Sequence, residues 1–82
     1  MRWTVIWHPP AIKQLARLWM QASNPQAVTD AANRIDALLR SSADSVGREF
    51  DGDRILIVGP LMVIYSVSPD DRKVEVKKVG RS

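Results

Sequence analysis

The sequence predicts an α+β fold ordered strand, helix, helix and then three or four strands, with the helices packed on one face of the sheet. Three observations predict it. Residues 54–79 hold three runs rich in β-branched and aromatic residues, cut by Gly59-Pro60 and by Ser68-Pro69-Asp70-Asp71, both turn chemistries. Upstream, two stretches repeat apolar residues at helical spacing. Before those, Trp3, Val5 and Trp7 alternate with Thr4 and Ile6, the period of a strand.

The opening strand, residues 2–7, stops at His8-Pro9-Pro10, because proline cannot extend a ladder, whereas Pro10 suits the first turn of a helix. From Ala11 to about Ala22, Ile12, Leu15, Ala16, Leu18, Trp19 and Ala22 form one apolar stripe, with Lys13, Gln14, Arg17 and Gln21 on the wet side. Ser23-Asn24-Pro25 breaks that helix, Asn24 capping and Pro25 opening a second one that runs to about Arg40. Val28, Ala31, Ala32, Ile35, Leu38 and Leu39 make its core face. Asp30–Arg34 and Asp36–Arg40 are expected as outer pairs worth about 0.2–0.5 kcal/mol each. The small residues Ala27, Ala31 and Ala32 let a neighbour approach closely, which favours an antiparallel helical hairpin. Ser41–Val46 reads as a polar loop. Residues 47–53 read as a short strand or irregular edge that enters the meander through Asp51-Gly52.

In the middle run of the meander, Leu61, Val63, Tyr65 and Val67 point one way and Met62, Ile64 and Ser66 the other, so both faces are largely apolar. Two helices cover only one face. The other is expected to stay partly open for a partner. Trp3, Trp7 and Trp19 each fall on an apolar face and are expected in the core; any of them found exposed would be an interface anchor.

At 82 residues the chain reads as a single domain, residues 1–82, which buries about two-thirds of its unfolded surface. Twelve Lys and Arg against nine Asp and Glu leave +3, a mild excess suited to nucleic acid or an acidic protein. No cysteine is present, so there is neither a disulfide framework nor a thiolate metal site, and a reducing cytoplasm is permitted. The apolar run Trp3–Trp7 is too short for a membrane span or a signal peptide. His8 is the only histidine and reads as a hydrogen-bonded turn residue. The carboxylates Asp51, Asp53, Asp70 and Asp71 belong to turns, so neither a metal nor any other cofactor is expected.

With those elements in place the sequence resembles the RelE/ParE superfamily of toxins from bacterial type II toxin–antitoxin modules. The residues that carry the resemblance are Trp3–Trp7 followed by His8-Pro9-Pro10-Ala11; Leu15, Leu18 and Trp19; Ala32, Ile35 and Leu38; Gly59–Val67; and Val74-Glu75-Val76 with Val79. The resemblance implies a β-α-α-β-β-β(-β) chain whose two-helix hairpin packs on a small, mainly antiparallel, twisted sheet, with a cognate antitoxin wrapped over it. It implies a cytoplasmic toxin of the plasmid-stabilisation kind, which when free acts as an mRNA interferase at the ribosome or inhibits DNA gyrase. A homodimer is also allowed. A catalytically inactive interaction module on the same scaffold is the alternative.

Metal-free cleavage of RNA needs a group to take the 2′-hydroxyl proton, one to protonate the leaving oxygen, and cations to stabilise charge on phosphate. Family nucleases place arginines and lysines on the central strands, with a basic residue and often a tyrosine in the C-terminal tail. Here Met62 stands at the usual strand arginine position, Ile55–Val58 holds no basic residue, and no tail tyrosine is present. The catalytic candidates are therefore Arg54, Lys77 and Arg81. Arg48, Lys73 and Lys78 are candidate RNA or target contacts, and Met62, Ile64 and Tyr65 candidate antitoxin contacts.

Overall fold

The structure, a computed structural model, describes residues 2–82; residue 1 of the expected domain lies outside the described residues. The chain runs β1 (Thr4–Trp7), α1 (Pro9–Gln21), α2 (Pro25–Ser42), β2 (Arg48–Phe50), β3 (Asp53–Val58), β4 (Leu61–Ser68) and β5 (Lys73–Arg81). The five strands form one sheet in the order β1-β5-β4-β3-β2. β1 lies parallel to β5 and every other pair is antiparallel, so the sheet is mixed but mainly antiparallel, as expected.

Local chemistry sets the boundaries. Both Pro9 and Pro10 fit the first turn of α1, where a missing N–H leaves nothing unsatisfied, so the helix starts two residues before Ala11. The Asn24 side chain accepts from the Ala27 N–H at 3.3 Å, and Pro25 opens α2. α2 continues past Arg40 to Ser42 because no glycine or proline stops it, with the Ser41 hydroxyl folded back to donate to the Ala37 carbonyl at 3.1 Å. Trp3 lies before the β1 ladder, its N–H donating to the Arg40 carbonyl at 2.7 Å. Of the two expected helical ion pairs, Asp36–Arg40 forms at 2.7 Å, whereas Asp30 accepts from Gln26 at 2.9 Å in place of Arg34. Asp51 and Gly52, both at positive φ, make the two-residue turn from β2 to β3.

The hairpin lies across one sheet face. Val28, Ala31, Ile35 and Leu39 of α2 meet Leu61, Val63 and Tyr65 of β4 and Val74 and Val76 of β5, forming the buried core. α1 is only lightly buried, Ala11 being its one fully enclosed residue. Three residues of the stripe expected to be buried prove exposed: Ala16, Ile12 at 52% and Trp19 at 46%. The apolar arc of α1 is wider than the strip it presses on the sheet, so part of it faces outward. Among the described residues, no helix is long and apolar enough to cross a membrane.

Candidate functional site

The sheet face away from the helices is the open one, and strand register assembles it. Ile55 pairs with Ile64 and Ile57 with Met62 across β3 and β4, while Ile64 pairs with Lys78 and Ser66 with Glu75 across β4 and β5. At the β2 edge Arg48 pairs with Ile55 and Phe50 with Asp53. Because side chains at paired positions share a face, these residues form one surface. Burial confirms the assignment. Along β4, Leu61, Val63 and Tyr65 are enclosed while Met62, Ile64 and Ser66 are half-buried. Phe50 and Ile57 are about half exposed, at 50% and 53%.

Charge borders this apolar patch. A β-bulge between Ile64 and Tyr65 leaves Lys77 as an extra residue of β5, since Tyr65 pairs with Val76 and Ile64 with Lys78. The bulge sets Lys77 and Lys78 side by side beside a shallow depression that Phe50, Asp53 and Ile64 also line. Lys77 Nζ reaches Asp53 Oδ1 at 3.1 Å, an exposed pair of small energetic weight. Farther along β5, Glu75 bonds His8 Nε2 at 3.1 Å. That bond, helped by the positive charges of Lys73 and Lys77, holds the Glu75 carboxyl below its ordinary range. His8 is thus a bonded residue at the β1–α1 junction, as its position suggested.

Three of the expected site residues sit elsewhere: Tyr65, Arg54 and Arg81, the last paired with Leu61 and lining a depression with Leu18 and Val28 on the helix side. Tyr65 is fully enclosed on the helix side of the sheet, its hydroxyl donating to the Val46 carbonyl at 2.8 Å. It therefore offers no surface to an antitoxin, and of the three expected contacts only Met62 and Ile64 are on the open face. Burial pushes the Tyr65 phenol above its ordinary value, against a smaller opposing effect of Arg54. Arg54 is on the same side as Tyr65. Its Nε and Nη2 donate to the Val46 carbonyl at 3.2 and 2.9 Å, and Nη2 also reaches Gly47 O at 3.3 Å.

The three catalytic candidates consequently do not converge. Arg54 holds the loop before β2, Lys77 is on the open face, and Arg81 pairs with Leu61 at the far end of β4. Arg54 pairs with Tyr65, four residues along β4 from Leu61, so it and Arg81 stand roughly 13 Å apart along the strand. Arg48 and Lys78 are exposed on the open face, with Lys73 half-buried at its β1 side. Phe50, Ile57 and Asp53 are not among the expected site residues, Asp53 being read only as a turn carboxylate, although the two tight turns carry the signal. Gly59-Pro60 sets Val58 against Leu61, which puts Ile57 opposite Met62, and Asp51-Gly52 sets Phe50 against Asp53. Among the described residues, no three His, Asp or Glu side chains cluster as a metal site would require.

No protein-family profile and no curated protein sequence matches the chain. Solved structures do. A chain of the RelBE2 toxin–antitoxin complex from Mycobacterium tuberculosis superposes with a TM-score of 0.83 at 16% identity, over 100% of this chain and 93% of that one. A chain of the chromosomal ParDE system from P. aeruginosa gives 0.78 at 19% identity, covering 98% and 96% respectively. A mutant of E. coli toxin RelE in the free state gives 0.72 at 15% identity, covering 99% and 84%. The chain has the RelE/ParE toxin fold: two helices on a five-stranded mixed sheet.

Proposed function

We propose, with that fold as premise, that residues 1–82 form a single toxin domain of a type II toxin–antitoxin pair, and that a cognate antitoxin neutralises it by covering the open sheet face. The observation that carries this reading is the contiguous patch of Phe50, Ile57, Met62 and Ile64, two of them about half exposed, on a face the helices leave bare. The similar structures described as RelBE2 and ParDE are toxin–antitoxin systems, which supports a partner of the same kind. A buried aromatic or aliphatic segment laid on the patch would leave Arg48, Lys77 and Lys78 at its rim for acidic side chains.

Freed of the antitoxin, the same face meets the toxic target in the cytoplasm, either ribosome-bound messenger RNA or DNA gyrase. Lys77, Lys78, Arg48 and Lys73 supply positive charge for phosphate or for acidic protein surface. Binding is favoured over RNA cleavage by one specific observation: the chain's only tyrosine is enclosed and its phenol proton is held more tightly than usual, so it cannot serve as an acid–base group at the open face. The inactive interaction module remains the competing reading.

Inducible expression in bacteria separates these readings. The expected result is growth arrest that co-expression of the antitoxin relieves and that Lys77→Ala with Lys78→Ala weakens. Primer extension on messenger RNA and a supercoiling assay with purified gyrase then identify the target. Harmless expression of the folded chain would favour the inactive module.

A further inference from the structure

The end of the hairpin leaves a cavity that no side chain of the fold fills. Ala22, a small residue, caps α1, and Ser23-Asn24-Pro25 then carries the chain over to α2, so a wedge stays open between the two helix ends and the β3–β4 turn. Its volume is about 150 Å³. The buried side chains of Val28 and Leu61 floor it, and Leu18, Ala22 and Pro60 wall it. One cation stands at the rim. Arg81 is exposed there and has no ion-pair partner among the described residues. The residue after it is pinned, since Ser82 donates its N–H to the Pro60 carbonyl at 3.1 Å and its hydroxyl to the Gly59 carbonyl at 2.7 Å.

We infer that this cavity binds a small organic acid, with one carboxylate carried on a single ring or a branched aliphatic group. Size sets the apolar part, because an apolar cavity of about 150 Å³ holds one benzene ring. Charge sets the polar part. A guanidinium offers paired N–H donors that match the two oxygens of a carboxylate, and one cation balances a single negative charge but only half of a phosphate dianion.

The walls are set in advance. The ring of Pro60 fixes its own backbone, and the two Ser82 bonds hold the end of β5 against the turn, so little freedom is lost when the acid enters. Exposure of Arg81 to water screens the pair and keeps the affinity modest, with a Kd of about 1 mM. Among the described residues no histidine, lysine or carboxylate side chain lines the cavity, so the acid is held and not transformed. Once bound, it joins the end of α1 and the start of α2 to β4 and β5, and by mass action it stabilises the folded chain. This inference does not depend on what covers the open sheet face.

The probes are three: benzoate, its neutral analogue benzamide, and acetate, which keeps the carboxylate and lacks the ring. Each is titrated into the full chain at constant ionic strength and followed by methyl and backbone amide NMR. Benzoate is expected to shift the Leu18, Val28 and Leu61 methyls along one saturating curve, and to bind at least about tenfold more tightly than benzamide or acetate. Arg81→Gln alters an exposed side chain, so the fold persists; it should bring benzoate to the level of benzamide and leave benzamide unchanged. Ala22→Leu, which fills the cavity from its wall, should remove benzoate binding with the remaining spectrum in place. Equal binding of benzoate and benzamide would overturn the inference, as would equal binding of acetate, which would mark an adventitious anion only. So would undiminished benzoate binding in either variant, shifts that lie away from Leu18, Val28 and Leu61, or no saturation at all.

Discussion

The two faces of β4 alternate residue by residue and do different work. Leu61, Val63 and Tyr65 are sealed under the hairpin, while Met62, Ile64 and Ser66 remain half open beside Phe50 and Ile57. Apolar composition alone does not distinguish the faces, since isoleucine and methionine stand on the open one as valine and leucine do on the closed one. The difference is cover: α2 presses Val28, Ala31, Ile35 and Leu39 onto one side, and among the described residues no helix reaches the other. Substitutions on the closed face should therefore lower stability, and those on the open face should lower binding.

The comparison breaks first where the closed face is densest. Leu39 is fully buried, so Leu39→Ala is expected to cost about 2–5 kcal/mol in denaturant unfolding. Gly47 should follow. It sits at φ 70, and a Cβ there would overlap the Ile55 carbonyl oxygen and come within 2.8 Å of the Tyr65 hydroxyl. Gly47→Ala is expected to cost about 1–3 kcal/mol, measured the same way.

Tyr65→Phe is milder at neutral pH, about 0.5–1.5 kcal/mol, because Arg54 still bonds the Val46 carbonyl. Its pH dependence is more telling. Burial raises the phenol pKa in the folded chain, so the contribution is complete below the ordinary phenol range and is lost as pH rises through it. Alkaline titration of stability should show that fall in the natural chain and a reduced one in the variant. Glu75 behaves in the opposite sense. Its carboxyl is held low by His8, so its stabilisation is present above the ordinary carboxylate range and is lost as pH falls through the lowered value. Glu75→Gln should flatten a slight acid-side loss, slight because the group is exposed. At the end of the scale, Ile57→Ser on the open face should change stability by no more than about 0.5 kcal/mol while weakening antitoxin binding.

Much of this was legible in the sequence. The period-two alternation from Leu61 to Val67 assigned the faces of β4, Asn24-Pro25 marked the start of α2, and the two tight turns implied the register. Tyr65 has the parity of Leu61 and Val63, so the same alternation already pointed it inward and away from Met62 and Ile64. Other features were hidden for physical reasons. The Arg54 guanidinium and the Val46 carbonyl meet only because β3 folds back beside the loop, and a cation read in isolation does not announce the backbone oxygens it will bind. Trp19 fits a helical stripe by spacing, yet the width of strip that α1 can press on the sheet depends on how the hairpin lies, which spacing does not specify.

The most direct test is methyl NMR of the chain, labelled at isoleucine and methionine, as the cognate antitoxin is added. The account predicts that Ile57, Ile64 and Met62 shift together while Ile35, sealed on the closed face, keeps its position. Formation of the complex with Ile57, Ile64 and Met62 all unmoved would contradict it.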